Sequence, residues 1–194
     1  MNRKHFYTFL VLFLFGLSAW TQNKYEREYR IKKSQFPQAS LDYISDRLED
    51  ARRIRFYKET DSTKISYEVK FKKDRLKYSV EFTEEGVLED VEIEIKPLDI
   101  PNDAYTEIKE YLSDNFAKHN IRKIQQQYST ADSDTETTLK NAFQNLLLPS
   151  IKYELIINAK KDGGYAQFEV LFDAQGDFIS MRKSLPPNYD HVLY

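Results

Sequence analysis

The sequence predicts an α+β protein made of two tandem units, each a helix followed by an antiparallel sheet. The same strand-and-turn pattern occurs twice: Tyr67-Glu68-Val69 precedes a turn at Gly86, and Tyr153-Glu154-Leu155 precedes one at Gly176. Each copy also begins at an apolar residue followed by proline, at Phe36-Pro37 and Ile100-Pro101. Such a duplication usually reflects one supersecondary unit used twice around a common core.

The first 21 residues are predicted to be a signal peptide. A basic segment, Asn2-Arg3-Lys4-His5, precedes an apolar run from Phe6 to Leu17, and cleavage is expected near Thr21–Gln22. The alternative is an uncleaved anchor, but the apolar run falls short of the roughly 20 residues that span a bilayer. We therefore expect a periplasmic or secreted protein with no stable membrane insertion after cleavage.

Composition excludes several classes of function. The chain has 194 residues with 29 Lys and Arg against 31 Asp and Glu, a net charge of −2 that does not favour nucleic acid as a partner. It has no cysteine, which excludes disulfides, cysteine-ligated zinc and thiol catalysis.

The first unit is assigned to residues 22–96. Period-two alternation from Tyr25 to Ile31 favours a leading strand, with the start of a helix as the alternative. Pro37 suits the first turn of a helix, and the helix carries an apolar stripe from Ala39 to Leu48. Alternating segments then predict strands near 54–57, 65–71, 76–82 and 91–95. Short connections imply antiparallel pairing, with helices covering only the apolar face.

The second unit is assigned to residues 97–194 and repeats this order with an insertion. A helix is predicted from Ala104 to Phe116, and strands near 151–157 and 166–172. The added segment predicts an amphipathic helix at about 133–148, ended by Pro149. We expect this helix to cover Ile156 and Leu171, two apolar residues on the otherwise polar face; the alternative is that they form a contact patch.

Alternation also divides the strand residues between two faces. Six side chains are predicted to point toward the helices: Tyr67, Val80, Phe82, Tyr153, Val170 and Phe172. The polar face of the first unit carries the candidate binding residues, which are Tyr57, Glu68, Lys70, Lys77, Ser79 and Glu81.

No catalytic or metal-binding constellation is evident, and no cofactor is expected. His119 and His191 have no matching nucleophile or carboxylate nearby in sequence. The acids Asp132, Asp134 and Glu136 lack the glycine and glutamate that complete a calcium loop. An acidic run is interpreted as a solvated face. The alternative is a patch that recognises a basic partner or binds calcium. The run comprises Glu84, Glu85, Glu89, Asp90, Glu92 and Glu94.

The chain resembles the PepSY-like, β-lactamase-inhibitor-protein-like (BLIP-like) family of exported bacterial proteins. The resemblance rests on Tyr78-Ser79-Val80-Glu81-Phe82, Glu85-Gly86-Val87-Leu88-Glu89, Val170-Leu171-Phe172 and Gln175-Gly176, together with the paired motifs above. It implies tandem helix-plus-sheet units, an envelope or secreted location, and a protein-binding or inhibitory role without active-site residues. The inserted helix departs from the simple tandem pattern.

The predicted function is therefore an exported, non-enzymatic protein that binds a protein or peptide through the polar sheet face. One alternative is an envelope hydrolase using surface carboxylates, which would need a deep pocket with converging acids. Another is a structural or sensing component of the envelope.

Overall fold

The computed structural model describes residues 23–24, 26–61, 64–131, 133–161 and 163–184. The predicted signal peptide and the tail from Leu185 lie outside these ranges. The described helices are α1 (Gln38–Ile44), α2 (Asn102–Asn115) and α3 (Thr135–Phe143), with 3-10 segments at Lys33–Gln35, Ser45–Leu48 and Pro97–Asp99. The described strands are β1 (Asn23–Lys24), β2 (Glu26–Ile31), β3 (Arg52–Asp61), β4 (Lys64–Lys73), β5 (Leu76–Thr83), β6 (Leu88–Ile95), β7 (Lys118–Ser129), β8 (Lys152–Lys161), β9 (Gly164–Asp173) and β10 (Phe178–Ser184).

All of these strands belong to one sheet, and the α+β class is as predicted. From β2 to β10 each strand pairs antiparallel with the next in the chain, whereas β1 pairs parallel with β10. One residue separates β1 from β2 in the chain, yet the two strands lie at opposite ends of the strand order. The sheet therefore curls until its two edges approach one another at this point.

Aromatic contacts connect the helices with the apolar face of the sheet. Phe36, just before α1, makes edge-on contacts with Phe56 and Phe82 at centroid distances of 5.0 and 5.9 Å. Tyr111 of α2 contacts Phe172 at 5.4 Å. Five of the six residues predicted to face the helices are buried, and the sixth, Tyr67, is half-buried against Phe36.

Two glycine turns bring the helices close to the sheet. Gly86, between β5 and β6, has φ +83° and faces Ala39 and Ser40 of α1. Gly176, between β9 and β10, has φ +93° and lies against the backbone of Ala104 in α2. A side chain would meet the helix at either position, so the repeated glycines allow the same close approach in both halves of the chain.

The inserted helix differs from its prediction in length and position. α3 ends at Phe143 rather than near residue 148, and Leu146 is exposed. Phe143 stacks on Tyr78 at 4.9 Å and on Phe71 at 6.2 Å, on the apolar face. The expectation that this helix covers Ile156 and Leu171 is therefore wrong.

Three strands were not predicted: β7, β10 and the two-residue β1. In β7 the apolar residues Ile121 and Ile124 are three apart, which does not suit a regular strand. A register shift between Ile121 and Lys123 adds a residue there, so Ile121 pairs with Ile157 and Ile124 with Leu155. This bulge returns both isoleucines to the same face.

No helix within the described ranges is long and apolar enough to cross a membrane.

We predict that Phe82→Ala and Phe172→Ala each lower the free energy of unfolding by about 3–5 kcal/mol, because each leaves a cavity in a fully buried site. Val87→Ala, at a side chain that is 56% exposed, should change it by less than about 0.5 kcal/mol. Urea unfolding measures all three. An unchanged midpoint for either phenylalanine variant would contradict the face assignment.

A second stability prediction separates backbone strain from contact with a helix. Gly163 has φ +83° with open space around it, whereas a Cβ at Gly176 would lie 2.3 Å from the carbonyl oxygen of Ala104. Gly163→Ala should destabilise by about 1 kcal/mol through strain alone. Gly176→Ala should add roughly 1–3 kcal/mol, because a helix backbone must move. Equal losses in the two variants would show that α2 does not hold this turn.

Candidate functional site

The curled sheet encloses a polar cavity of about 370 Å³. Side chains from β2 through β10 line it, so the polar face lies on the inside of the curl. Among the described lining residues, nine carboxyl groups face four basic side chains. The acids are Glu28, Glu59, Asp61, Glu68, Glu81, Asp90, Glu92, Glu154 and Glu169, and the bases are Lys64, Lys70, Lys123 and Arg182. We call this the acidic cavity.

Lys70 neutralises one cluster of acids in the wall. Its Nζ lies 2.7 Å from Glu68 Oε2 on the same strand and 3.1 Å from Glu28 Oε2 on β2. Carboxylate oxygens of Glu28, Glu59 and Glu68 lie within 4.8 Å of one another, a spacing that could also hold a metal ion. The ammonium group of Lys70 supplies the positive charge at this cluster, so we interpret it as an ion-pair network.

Glu68 is the ionised member of that network. It is 8% exposed and accepts a hydrogen bond from the Ser79 hydroxyl. Burial opposes ionisation of its carboxyl group, but the charge of Lys70 and the hydrogen bonds outweigh burial and hold the pKa of Glu68 below its ordinary value.

Asp90 and Glu92 behave in the opposite way. Gln127 Nε2 donates to Asp90 Oδ2 at 3.0 Å, and Gln125 Nε2 donates to Glu92 Oε2. Burial raises the pKa of both carboxyl groups well above the ordinary value, and nearby carboxylates raise it further: Glu81 acts on Asp90 and Glu154 on Glu92. The interpretation of the acidic run as a solvated face is therefore wrong for these two residues, although Glu84 and Glu85 are exposed.

Glu81, like Asp90 and Glu92, has a carboxyl group whose pKa is raised. Burial raises the pKa of its carboxyl group, and the charges of Glu68 and Glu89 add to the effect. Ser66 and Lys64 act in the opposite direction without cancelling it. Three wall carboxyls thus hold their protons more tightly than they would in water.

A second cavity, of about 380 Å³, opens at the other end of the same polar face. Among the described lining residues, six basic side chains face a single acid, Glu94. The bases are Arg53, Arg55, Lys70, Lys72, Lys77 and Lys123. We call this the basic cleft. Lys70, Lys123 and Gln125 line both cavities.

The six predicted binding residues are divided between the two cavities. Glu68 and Glu81 line the acidic cavity, Lys70 lines both, and Tyr57, Lys77 and Ser79 line the basic cleft. Lys70 Nζ lies 4.9 Å from the centre of the Tyr57 ring. Lys77 pairs with Glu94 on the neighbouring strand.

Sequence reasoning missed other residues of these walls. Arg53 and Arg55 begin β3, Gln125 lies on the unpredicted β7, and Arg182 lies on the unpredicted β10. For Arg53 and Arg55 a signal was available, since they share the alternation of Tyr57. No such signal was available for Gln125 and Arg182, because apolar and polar residues do not alternate regularly in β7 and β10.

Comparisons with known proteins point to the fold. The sequence matches no protein-family model and no curated protein. The structure is similar to that of a DUF2874 family protein from Bacteroides ovatus, with a TM-score of 0.50, 11% identity, and coverage of 82% of this chain and 94% of that protein. This likeness shows a shared fold.

Two further structures have TM-scores just below this. A BLIP-like protein from Bacteroides fragilis is 13% identical, with a TM-score of 0.48, over 82% of this chain and 92% of that protein. A protein from Bacteroides eggerthii, described as a candidate periplasmic protein, is 12% identical, with a TM-score of 0.49, over 80% and 93%. One of these two structural neighbours is thus described as BLIP-like and the other as periplasmic.

The raised pKa values predict a pH-dependent stability. Between the ordinary carboxyl pKa of about 4 and the raised pKa of Asp90 and Glu92, the folded protein binds more protons than the unfolded chain. Their contribution to the free energy of unfolding therefore falls as pH rises through this window. We expect Asp90→Asn combined with Glu92→Gln to remove that decline. The free energy of unfolding of the variant should therefore increase relative to that of the wild type as pH rises.

Urea unfolding at several pH values between about 4 and 8 tests this. Glu84→Gln with Glu85→Gln is the matched control, since it removes two acids from an exposed turn. If the curve of the cavity variant stayed parallel to that of the wild type, these carboxyls would be ordinary.

Proposed function

We propose that this chain is an exported, non-enzymatic binding protein that takes a basic peptide segment in the acidic cavity. The observation that supports this most is the excess of carboxyl groups in the cavity wall, nine against four basic side chains among the described residues. Three of those acids have raised pKa values, so their negative charges are incompletely compensated within the protein. A cation entering the cavity would supply that compensation.

The size of the cavity limits what enters it. A volume of about 370 Å³ suits a few side chains or a short segment rather than the surface of a folded partner. Lysine and arginine side chains fit because their stems are apolar and their charged ends donate several hydrogen bonds. The proposed contacts include the predicted residues Glu68, Lys70 and Glu81, with Tyr57, Lys77 and Ser79 at the adjoining cleft.

We also propose the location and the domain division. Export is supported by the layout of residues 1–21, and a periplasmic or secreted location agrees with how similar structures are described. Two units at 22–96 and 97–194 are supported by the matching contacts of Gly86 with α1 and Gly176 with α2.

Calorimetric titration with two short peptides tests the binding proposal. The peptides differ only in carrying lysine or glutamate at their central positions, and we expect the lysine peptide alone to bind. Glu81→Gln with Asp90→Asn should weaken this binding roughly tenfold or more, about 1.4 kcal/mol, because it removes two carboxyls from the wall. Affinity should also rise with pH, since a bound cation favours the ionised acids.

The control for charge alone is Glu84→Gln with Glu85→Gln, which alters net charge equally at an exposed turn. This variant should bind the lysine peptide as the wild type does. If both variants lost affinity for the lysine peptide equally, the effect would be general electrostatic attraction rather than binding in the cavity. If the wild-type protein bound neither peptide, the proposal would be contradicted.

One observation favours a second candidate function, hydrolysis by paired carboxyls. The cavity holds acids whose pKa values move in opposite directions, Glu68 downward and Asp90 and Glu92 upward, which is the pattern of an acid–base pair. Against it, Glu68 is held by Lys70 and Ser79, and glutamine amides bind Asp90 and Glu92. Turnover of oligosaccharide or peptide substrates that Asp90→Asn abolishes would replace the binding proposal with this one.

A further inference from the structure

The basic cleft contains like charges placed directly opposite one another. Arg55 pairs with Lys70 across β3 and β4, and Lys72 pairs with Lys77 across β4 and β5. Like charges at facing positions of a sheet are destabilising. Lys70 and Lys77 have carboxylate partners, but among the described residues Arg53, Arg55 and Lys72 make no ion pair. The cleft therefore holds positive charge that the described part of the chain leaves without an ion-pair partner.

The backbone at the edge of the cleft is irregular. The pairing of β3 with β4 shifts between Arg52 and Arg55, which places one extra residue in β3. Arg53 lies within this bulge at φ 58°, in the left-handed region that a residue with a long side chain rarely adopts. Bulges redirect side chains near functional sites, and this one places Arg53 and Arg55 together in the wall of the cleft.

A buried polar group lies between the two cavities. Gln125 is 5% exposed, and although its Nε2 donates to Glu92, its Oε1 has no hydrogen-bond partner within the described part of the chain. A buried carbonyl oxygen without a donor is unusual in a folded protein. A ligand carrying both acidic oxygens and a hydroxyl group would satisfy the cations and this oxygen together.

We infer that the basic cleft is an anion-binding site, separate from the acidic cavity, for a ligand that bears a phosphate or carboxylate group and a hydrogen-bond donor. Arg53 and Arg55 contact the anion, because guanidinium groups bind phosphate and carboxylate oxygens in pairs. Lys72 and Lys77 add positive charge from the neighbouring strands. The site does not require the proposed peptide function of the acidic cavity.

Inorganic phosphate and succinate are the probes, titrated separately into the protein at low ionic strength. Phosphate carries a hydroxyl group near neutral pH and succinate does not, so tighter binding of phosphate supports a role for Gln125. Succinate bound as tightly as phosphate would overturn that role, although it would still support an anion site. A bound anion should also raise the unfolding temperature, and the rise should grow with the logarithm of anion concentration once the concentration exceeds the dissociation constant.

The test variant is Arg53→Asn with Arg55→Gln. Asparagine tolerates positive φ, so the unfolding temperature in the absence of phosphate should not fall. Phosphate affinity should drop roughly tenfold or more, while binding of the lysine peptide to the acidic cavity should not decrease. Lys140→Gln with Lys160→Gln removes the same charge at exposed positions outside the cleft and should leave phosphate binding unchanged.

Two results would overturn the inference. One is the absence of phosphate and succinate binding at millimolar concentration in the wild-type protein. The other is an equal loss of affinity in both double variants, which would indicate attraction to net charge rather than to a site. Neither result bears on the acidic cavity, whose peptide titration succeeds or fails separately.

Discussion

The ammonium group of Lys70 lies where the acidic cavity and the basic cleft of the polar face meet. It forms ion pairs with Glu68 on its own strand and Glu28 on β2, and it lies over the Tyr57 ring. Burial opposes its charge, yet the two carboxylates outweigh burial and raise the pKa of Lys70. The charge of Lys70 helps to hold the pKa of Glu68 below its ordinary value; without this cation, the carboxyl groups of the cluster would face one another unpaired.

The curl of the sheet explains why so few cations are shared by so many acids. On a flat polar face each carboxylate would be solvated and its neighbours screened. The curl brings Glu154 and Glu169 of the second half of the chain toward Glu68, Glu81 and Asp90 of the first. Water is partly excluded, so repulsion between these groups acts over longer distances and raises pKa values. The chemistry of the cavity thus follows from tertiary shape rather than from any local motif.

This distinction also sets how much the sequence could reveal. The period-two alternation of Val80 and Phe82 against Ser79 and Glu81 depends only on strand geometry, so both faces of β5 were predictable. The curl is seen in the pairing of β1 with β10, about 160 residues apart in the chain, which no local sequence pattern predicts. Consequently the acidic run at Asp90 and Glu92 resembled a solvated face.

Irregular pairing accounts for most of the remaining differences. Because of the bulge in β7, Ile121 and Ile124 are three residues apart in the sequence. This spacing does not fit the two-residue period of a strand, and it does not extend far enough to indicate a helix. The predicted position of α3 was wrong for another reason, because its apolar stripe fits either face of a sheet. Only the aromatic contacts of Phe143 with Phe71 and Tyr78 decide between the two faces.

The separation of charge along the strands has a consequence for any ligand that occupies both proposed sites. On β3 the basic cleft is marked by Arg55 and the acidic cavity by Glu59, four residues further along. Four residues of extended chain rise about 13 Å. An extended peptide with an acidic group and a basic side chain at that spacing would meet complementary charge at both ends in one direction and like charge at both ends when reversed. Since repulsion rejects wrong orientations as effectively as attraction selects right ones, the polar face would discriminate the direction of a bound chain as well as its charge.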